Sequence, residues 1–284
     1  MTMFSTVISG DRLVQHLTDP NWIVIDCRFV LSDPAAGERS YQQGHIPHAC
    51  YAHLERDLSG QIKTDTGRHP LPDREELTAK LGVWGVGRDS QVVVYDDVNG
   101  AMAARLWWLL RWLGHEGVAL LDGGWTQWIK EGLPVSLETN SGGEVTFSPG
   151  RPLSNYLSTS EVQEGLRDKS IRLLDARAAE RFRGEVEPID PIAGHIPGAI
   201  NRPFQLNLAA DGRFLSAKEL LRQFTSQREV ISPYQVVNMC GSGVTACHNI
   251  LAMELAGLNG SRLYAGSWSE WIRDPDNPVA KGTL

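Results

Sequence analysis

The chain repeats itself once along its length, and that constrains its fold more than any other feature. Val24-Ile25-Asp26-Cys27-Arg28 returns as Leu173-Leu174-Asp175-Ala176-Arg177, and Gly44-His45-Ile46-Pro47-His48-Ala49 returns as Gly194-His195-Ile196-Pro197-Gly198-Ala199. Val92-Val93-Val94-Tyr95-Asp96 matches Val236-Val237-Asn238-Met239-Cys240. Gly123-Gly124-Trp125 with Trp128 matches Gly266-Ser267-Trp268 with Trp271. The order is kept, and the offsets run from 143 to 150 residues. A period that long is a duplicated domain rather than a short-period solenoid. The 284 residues leave room for two domains of roughly 140 residues each. The expected division is a first domain over 1–138, a linker over 139–152 and a second domain over 153–284. The stretch SLETNSGGEVTFSPGRP, rich in Ser, Gly, Pro and Thr, marks the linker, with a short extended run at Val145–Phe147.

Both copies read with the same coarse plan. A helix opens behind Ser9-Gly10-Asp11, and its twin behind Ser158-Thr159-Ser160, both with N-cap residues. A short strand ends at Asp26 or Asp175, and a loop carries the Gly-His-Ile-Pro element. A second apolar strand, VVVY or VVNM, runs into a turn and a helix; a third strand, VALLDG or RLYAG, precedes a Trp-rich helix. Apolar strands alternating with helices predict an α/β fold, each copy a parallel sheet flanked by helices. Trp107, Trp108 and Trp112 share one helical stretch and are expected to pack between layers, as are Trp268 and Trp271. Ligands of such sheets sit at the carboxyl ends of the strands, where Asp96 and Cys240 stand.

Bulk properties remove several classes of function. A net charge of −7 argues against nucleic acid as the main partner, because phosphate binding needs a basic face. No apolar run is long enough for a membrane span, and the first residues do not read as a signal peptide. The four cysteines, Cys27, Cys50, Cys240 and Cys247, are therefore expected to be reduced thiols in a cytoplasmic protein. His45, His48 and His53 lack a metal-ligand pattern, and no metal or organic cofactor is expected.

The chemistry concentrates in Cys240-Gly241-Ser242-Gly243-Val244-Thr245-Ala246, between a buried strand and a helix running to about Gly257. Two glycines let the backbone curl and turn its N–H groups inward. The positive end of the following helix adds to the cradle. Such a turn favours an anion and should stabilise a Cys240 thiolate. Cys27, Cys50 and Cys247 read instead as small buried hydrophobes. Cys247 lies about two helical turns beyond Cys240, roughly 10 Å, outside disulfide reach. A phosphatase of the Cys-x5-Arg type would need an arginine where Ala246 stands. Ser242 does not fit a Gly-x-Ser-x-Gly hydrolase elbow. A non-catalytic sulfur- or protein-binding module, with a structural Cys240, is the alternative of another class.

CGSGVTA at 240–246, GHIP at 44–47 and 194–197, DARAAERFRG at 175–184 and GSWSEW at 266–271 together resemble the tandem-domain rhodanese superfamily over nearly the whole chain. They resemble its 3-mercaptopyruvate sulfurtransferase branch more closely. The resemblance implies two rhodanese-like domains, the first inactive, with Asp96 at the cysteine position, and the second catalytic. It implies sulfur moving from 3-mercaptopyruvate, through a Cys240 persulfide, to a thiol such as thioredoxin or to cyanide; the alternative donor is thiosulfate. Thiosulfate-preferring relatives carry charged residues directly after the cysteine, where this chain has neutral Gly241 and Ser242. By the same resemblance Gly241, Gly243, Val244 and Thr245 line the substrate site, and Arg181 holds the substrate carboxylate. The branch has a second arginine nine residues later; this chain has Asp190 there, leaving Arg183 or Arg202 to replace it. A relay of Asp33, His45 and Ser242 is likewise implied. Arg28 and Arg177, in the repeated Asp-x-Arg, read as structural ion pairs.

Overall fold

Each half of the repeat builds a five-stranded parallel sheet in the computed structural model, which describes residues 3–140, 142–226 and 232–282. The first sheet comprises β1 (Val7–Ile8), β2 (Trp22–Asp26), β3 (Cys50–Tyr51), β4 (Gln91–Tyr95) and β5 (Val118–Leu121), in the order β1-β5-β4-β2-β3. The second comprises β6 (Tyr156–Leu157), β7 (Arg172–Asp175), β8 (Ile200–Asn201), β9 (Val236–Met239) and β10 (Arg262–Tyr264), in the order β6-β10-β9-β7-β8. The two orders are the same topology. The central strands β4 and β9 are buried at every position, as expected of strands covered on both faces. Asp26 pairs in register with Tyr95, and Asp175 with Met239. The Asp-x-Arg elements thus sit level with the last residue before Asp96 and Cys240.

The Asp-x-Arg elements are structural, as read. Arg28 Nη2 lies 2.6 Å from Asp26 and donates to Gly44 O at 2.7 Å; Arg177 Nη2 lies 2.7 Å from Asp175 and donates to Gly194 O at 2.8 Å. Each ties a strand end to its Gly-His-Ile-Pro loop and lays its guanidinium over a tryptophan, Trp125 or Trp268. The tryptophans of the helix Ala103–Trp112 are buried, and so are Trp268 and Trp271.

The chain forms two compact units whose boundaries depart from the 1–138, 139–152 and 153–284 division. Residues 142–152 of the expected linker pack into the first unit instead of standing apart. Val145 N–H donates to Gly82 O, Gly150 N–H to Leu113 O, and Phe147 is buried with its ring against His115. The units also exchange segments: Gln61–Leu71 belongs to the second unit and Ala210–Phe214 to the first. The exchange is reciprocal in sequence, because Gly67-Arg68-His69 and Gly212-Arg213-Phe214 are 145 residues apart, inside the repeat's own range of offsets.

Candidate active site

Cys240 follows β9 and is buried. Its backbone is fixed on both sides. Its N–H donates to Ser267 Oγ at 3.1 Å, and its carbonyl accepts from Trp268 N–H at 3.0 Å. The turn then runs through Gly241 to Thr245 and enters the helix Ala246–Leu255. Gly243 has φ of +76°, and a Cβ there would stand 2.3 Å from Ala265 O. Only glycine can make this bend. The carbonyls of Val244 and Thr245 accept from Cys247 and His248 N–H, so these two residues form the helix's first turn.

The matching turn of the first unit shows what this backbone holds. Asp96 follows β4, and its carbonyl accepts from Trp125 N–H at 2.7 Å, as that of Cys240 does from Trp268. The Asp96 carboxylate is fully buried and accepts four backbone N–H bonds, from Val98, Gly100, Met102 and Ala103, at 2.7–2.9 Å. Burial raises its pKa above the ordinary carboxylate value, and those N–H groups work against the rise. An anion in this turn is therefore held by backbone alone.

Ser242 is hydrogen-bonded to His69, with Nδ1 and Oγ 2.7 Å apart and both side chains buried. His69 arrives on the exchanged segment, which is stitched to the second unit by Arg68 N–H to Ser269 Oγ at 3.0 Å and Arg273 Nε to Thr66 O at 3.3 Å. The expected Asp33–His45–Ser242 relay is corrected accordingly. His45 lies in the first unit with its ring nitrogens 2.7 Å from Tyr41 O and 3.0 Å from Glu138 O, stacked on Tyr41. Its twin His195 sits 2.8 Å from Phe182 O and stacks on Phe182. This histidine holds the Gly-His-Ile-Pro loop in both copies. Asp33 is exposed and paired with Arg39.

Two guanidinium groups flank Gly241. A Cβ built on that glycine would stand 3.0 Å from Arg68 Nη2 and 3.7 Å from Arg181 Nη1 and Nη2. Arg181 stands beside the Cys240 turn. Its companion is Arg68, not Arg183, which pairs with Glu185, nor Arg202, which lines a separate cavity. Asp190 bridges the two, paired with Arg68 and 3.3 Å from Arg181, and Glu187 lies 2.6 Å from Arg181. Burial raises the Asp190 pKa despite Arg68 and Arg181. Burial also opposes ionisation of Glu187, but the Arg181 hydrogen bond and backbone N–H groups outweigh it and hold that carboxyl low.

The remaining thiols do not compete. Burial pushes the Cys50 thiol up to about 11 and raises that of Cys27 well above its ordinary value, so both stay protonated at neutral pH. Cys247 Sγ lies 3.4 Å from Gly243 O, and all four cysteines are free. Among the described residues no cluster could hold a metal ion, and no helix is long and apolar enough to cross a membrane.

Sequence reasoning missed Arg68 and His69. The signal was the Gly-Arg-His and Gly-Arg-Phe pair at the repeat offset, which marks the exchanged segments. The rhodanese-like domain family matches twice, over residues 9–131 and 158–274. A Pseudomonas aeruginosa protein named "probable 3-mercaptopyruvate sulfurtransferase" is 52% identical over 283 residues, 97% of this chain and 98% of that protein. The mouse thiosulfate sulfurtransferase is 34% identical, covering 93% of this chain and 90% of its own. Among solved structures, the 3-mercaptopyruvate sulfotransferase SseA of Escherichia coli superposes with a TM-score of 0.79 at 30% identity, over 94% of this chain and all of that one.

Proposed function

The chain belongs to the rhodanese-like family, and from that premise we propose that it is a sulfurtransferase that carries sulfur as a persulfide on Cys240. The observation that carries this reading is the His69–Ser242 hydrogen bond of 2.7 Å, which puts a proton-transfer pair two residues from a cysteine in an anion-holding turn.

The donor proposed is 3-mercaptopyruvate. Its carboxylate is met by Arg181 and Arg68 over Gly241, a fork suited to a planar anion. The Cys240 thiolate attacks the donor sulfur, an S–S bond forms, and the carbon–sulfur bond breaks. The electron pair of that bond leaves as the enolate of pyruvate. Ser242 gives the enolate its proton, and His69 replaces it. The persulfide anion rests in the N–H turn, as the Asp96 carboxylate does in the first unit. An acceptor thiol such as that of thioredoxin, or cyanide, then takes the outer sulfur and restores the Cys240 thiolate. The four free thiols fit a reducing cytoplasm.

Thiosulfate is the second reading, and a specific observation favours it: two cations rather than one face the turn at Gly241. Asp190 and Glu187 neutralise both. A dianion displaced against two carboxylates gains less than the cations alone would give, which is why mercaptopyruvate is preferred here. Steady-state kinetics with each donor and cyanide as common acceptor test this, read as kcat/KM. A higher value for mercaptopyruvate supports the reading; a higher value for thiosulfate overturns the donor assignment; transfer from neither returns Cys240 to a binding or structural role.

A further inference from the structure

Three consecutive residues tie the Cys240 turn to the helix Ser267–Trp271. Ser267 Oγ accepts from Cys240 N–H at 3.1 Å, and the N–H groups of Trp268 and Ser269 donate to the carbonyls of Cys240 and Gly241 at 3.0 and 2.9 Å. Ser269 is 3% exposed, and its Oγ also accepts from Arg68 N–H at 3.0 Å. A closed ring results. Ser269 N–H meets Gly241 O, Gly241 is bonded to Ser242, Ser242 Oγ lies 2.7 Å from His69 Nδ1, His69 is bonded to Arg68, and Arg68 N–H returns to Ser269 Oγ. Every member belongs to the second unit. The ring runs through both halves of the proposed proton-transfer pair and through the residue whose guanidinium stands over Gly241.

Thr66, Gly67 and Arg68 each bond to a residue between 269 and 273, and the bond to Ser269 is the shortest. Arg273 Nε donates to Thr66 O at 3.3 Å, and Gly67 N–H donates to Glu270 Oε2 at 3.4 Å. The seat is close: a Cβ on Gly67 would stand 2.7 Å from Gly266 O and 2.8 Å from Ser269 Oγ. The first unit holds its traded segment in another way. Thr126 takes the place of Ser269 in the repeat and is exposed. The segment there is held by Asp122 Oδ1, which accepts from Phe214 N–H at 2.8 Å, and by Glu131, paired with Arg213. The shared fold therefore does not require the Ser269 hydroxyl bond, which occurs in the unit that carries Cys240.

We propose that Ser269 is a positioning residue for sulfur transfer, setting His69 against Ser242 and Arg68 over Gly241 from one point. The inference rests on reading His69 and Ser242 as the proton-transfer pair. Removing the hydroxyl opens the ring at Arg68. The proton step then loses its alignment through His69, and the donor carboxylate loses part of its grip through Arg68, so kcat falls and KM rises together.

A double-variant cycle on the whole protein, with mercaptopyruvate as donor and cyanide as acceptor, tests this. Ser269→Ala should lower kcat per folded molecule by about tenfold and raise KM. Ser269→Thr, which keeps the hydroxyl, should restore most of both. In a His69→Phe background Ser269→Ala should leave kcat unchanged, because the residue it acts through is gone, while still raising KM through Arg68. Gly67→Ala, which crowds the same seat from the other side, should reproduce Ser269→Ala and decides the matter if that variant does not fold; denaturation midpoints check folding. Unchanged kcat in Ser269→Ala, or an equal fall in kcat in the His69→Phe background, overturns the proposal. A His69→Phe variant with unchanged kcat overturns the proton-pair reading and this proposal with it, a result distinct from the other two.

Discussion

The two units turn at the same place, from central strand into helix, and put different groups there. After β4 the turn holds its own carboxylate, Asp96, under four N–H donors. After β9 it holds a thiol beside Gly241, Ser242 and Gly243. The first turn is filled by its own carboxyl group and needs nothing further. The second leaves the anion to be made and unmade, and that difference separates a structural element from a chemical one. The exchanged segments follow the same division. His69 reaches Ser242, while the matching Phe214 donates its backbone N–H to Asp122.

Replacing Cys240 gives the largest expected effect. Cys240→Asp copies the first unit into the second, and should fold normally while losing all transfer, as should Cys240→Ser; residual turnover from either breaks the comparison. Next is His69→Phe, which imports the first unit's residue. It should lower kcat with mercaptopyruvate by about 10²–10⁴-fold, the range of a general acid–base contribution. Ser242→Ala should match it, and the double variant should be little worse than either, since the two act as one unit. His45→Gln should lower stability and leave kcat per folded molecule nearly intact.

Asp96→Ala tests the other half of the comparison. Orphaning four buried donors should cost on the order of 3 kcal/mol, seen as a lower denaturation midpoint, with the kinetic constants of Cys240 unchanged. The smallest effect expected is that of Asp190→Asn. Freeing Arg68 and Arg181 of one carboxylate should lower KM for both donors, by up to about tenfold for thiosulfate and less for mercaptopyruvate, because a dianion gains more from each cation. Equal effects on the two donors would mean that Asp190 does not tune the choice between them.

Much of this was legible in the sequence because it is local. The strands, the Asp-x-Arg ties and the Cys240 turn depend on residues within one repeat, and Arg181 follows Arg177 by four positions. His69 was not legible in the same way, because it meets Ser242 from 173 positions away on a segment that the two units trade. His45 drew attention by its place in a repeated motif, yet repetition in both copies is what a loop-holding residue shows. The 139–152 stretch has linker composition, but Phe147 and its neighbours find apolar cover in the first unit. For the arginine absent at Asp190 the sequence offers Arg183 and Arg202 as neighbours. The second cation came instead with the traded segment.

The central claim is that only the second turn carries sulfur, and mass spectrometry of the protein after mercaptopyruvate is added without an acceptor tests it most directly. The account predicts a gain of one sulfur atom on the peptide bearing Cys240, removed by cyanide. A protein that gains no sulfur, or gains it on Cys27, Cys50 or Cys247, contradicts it.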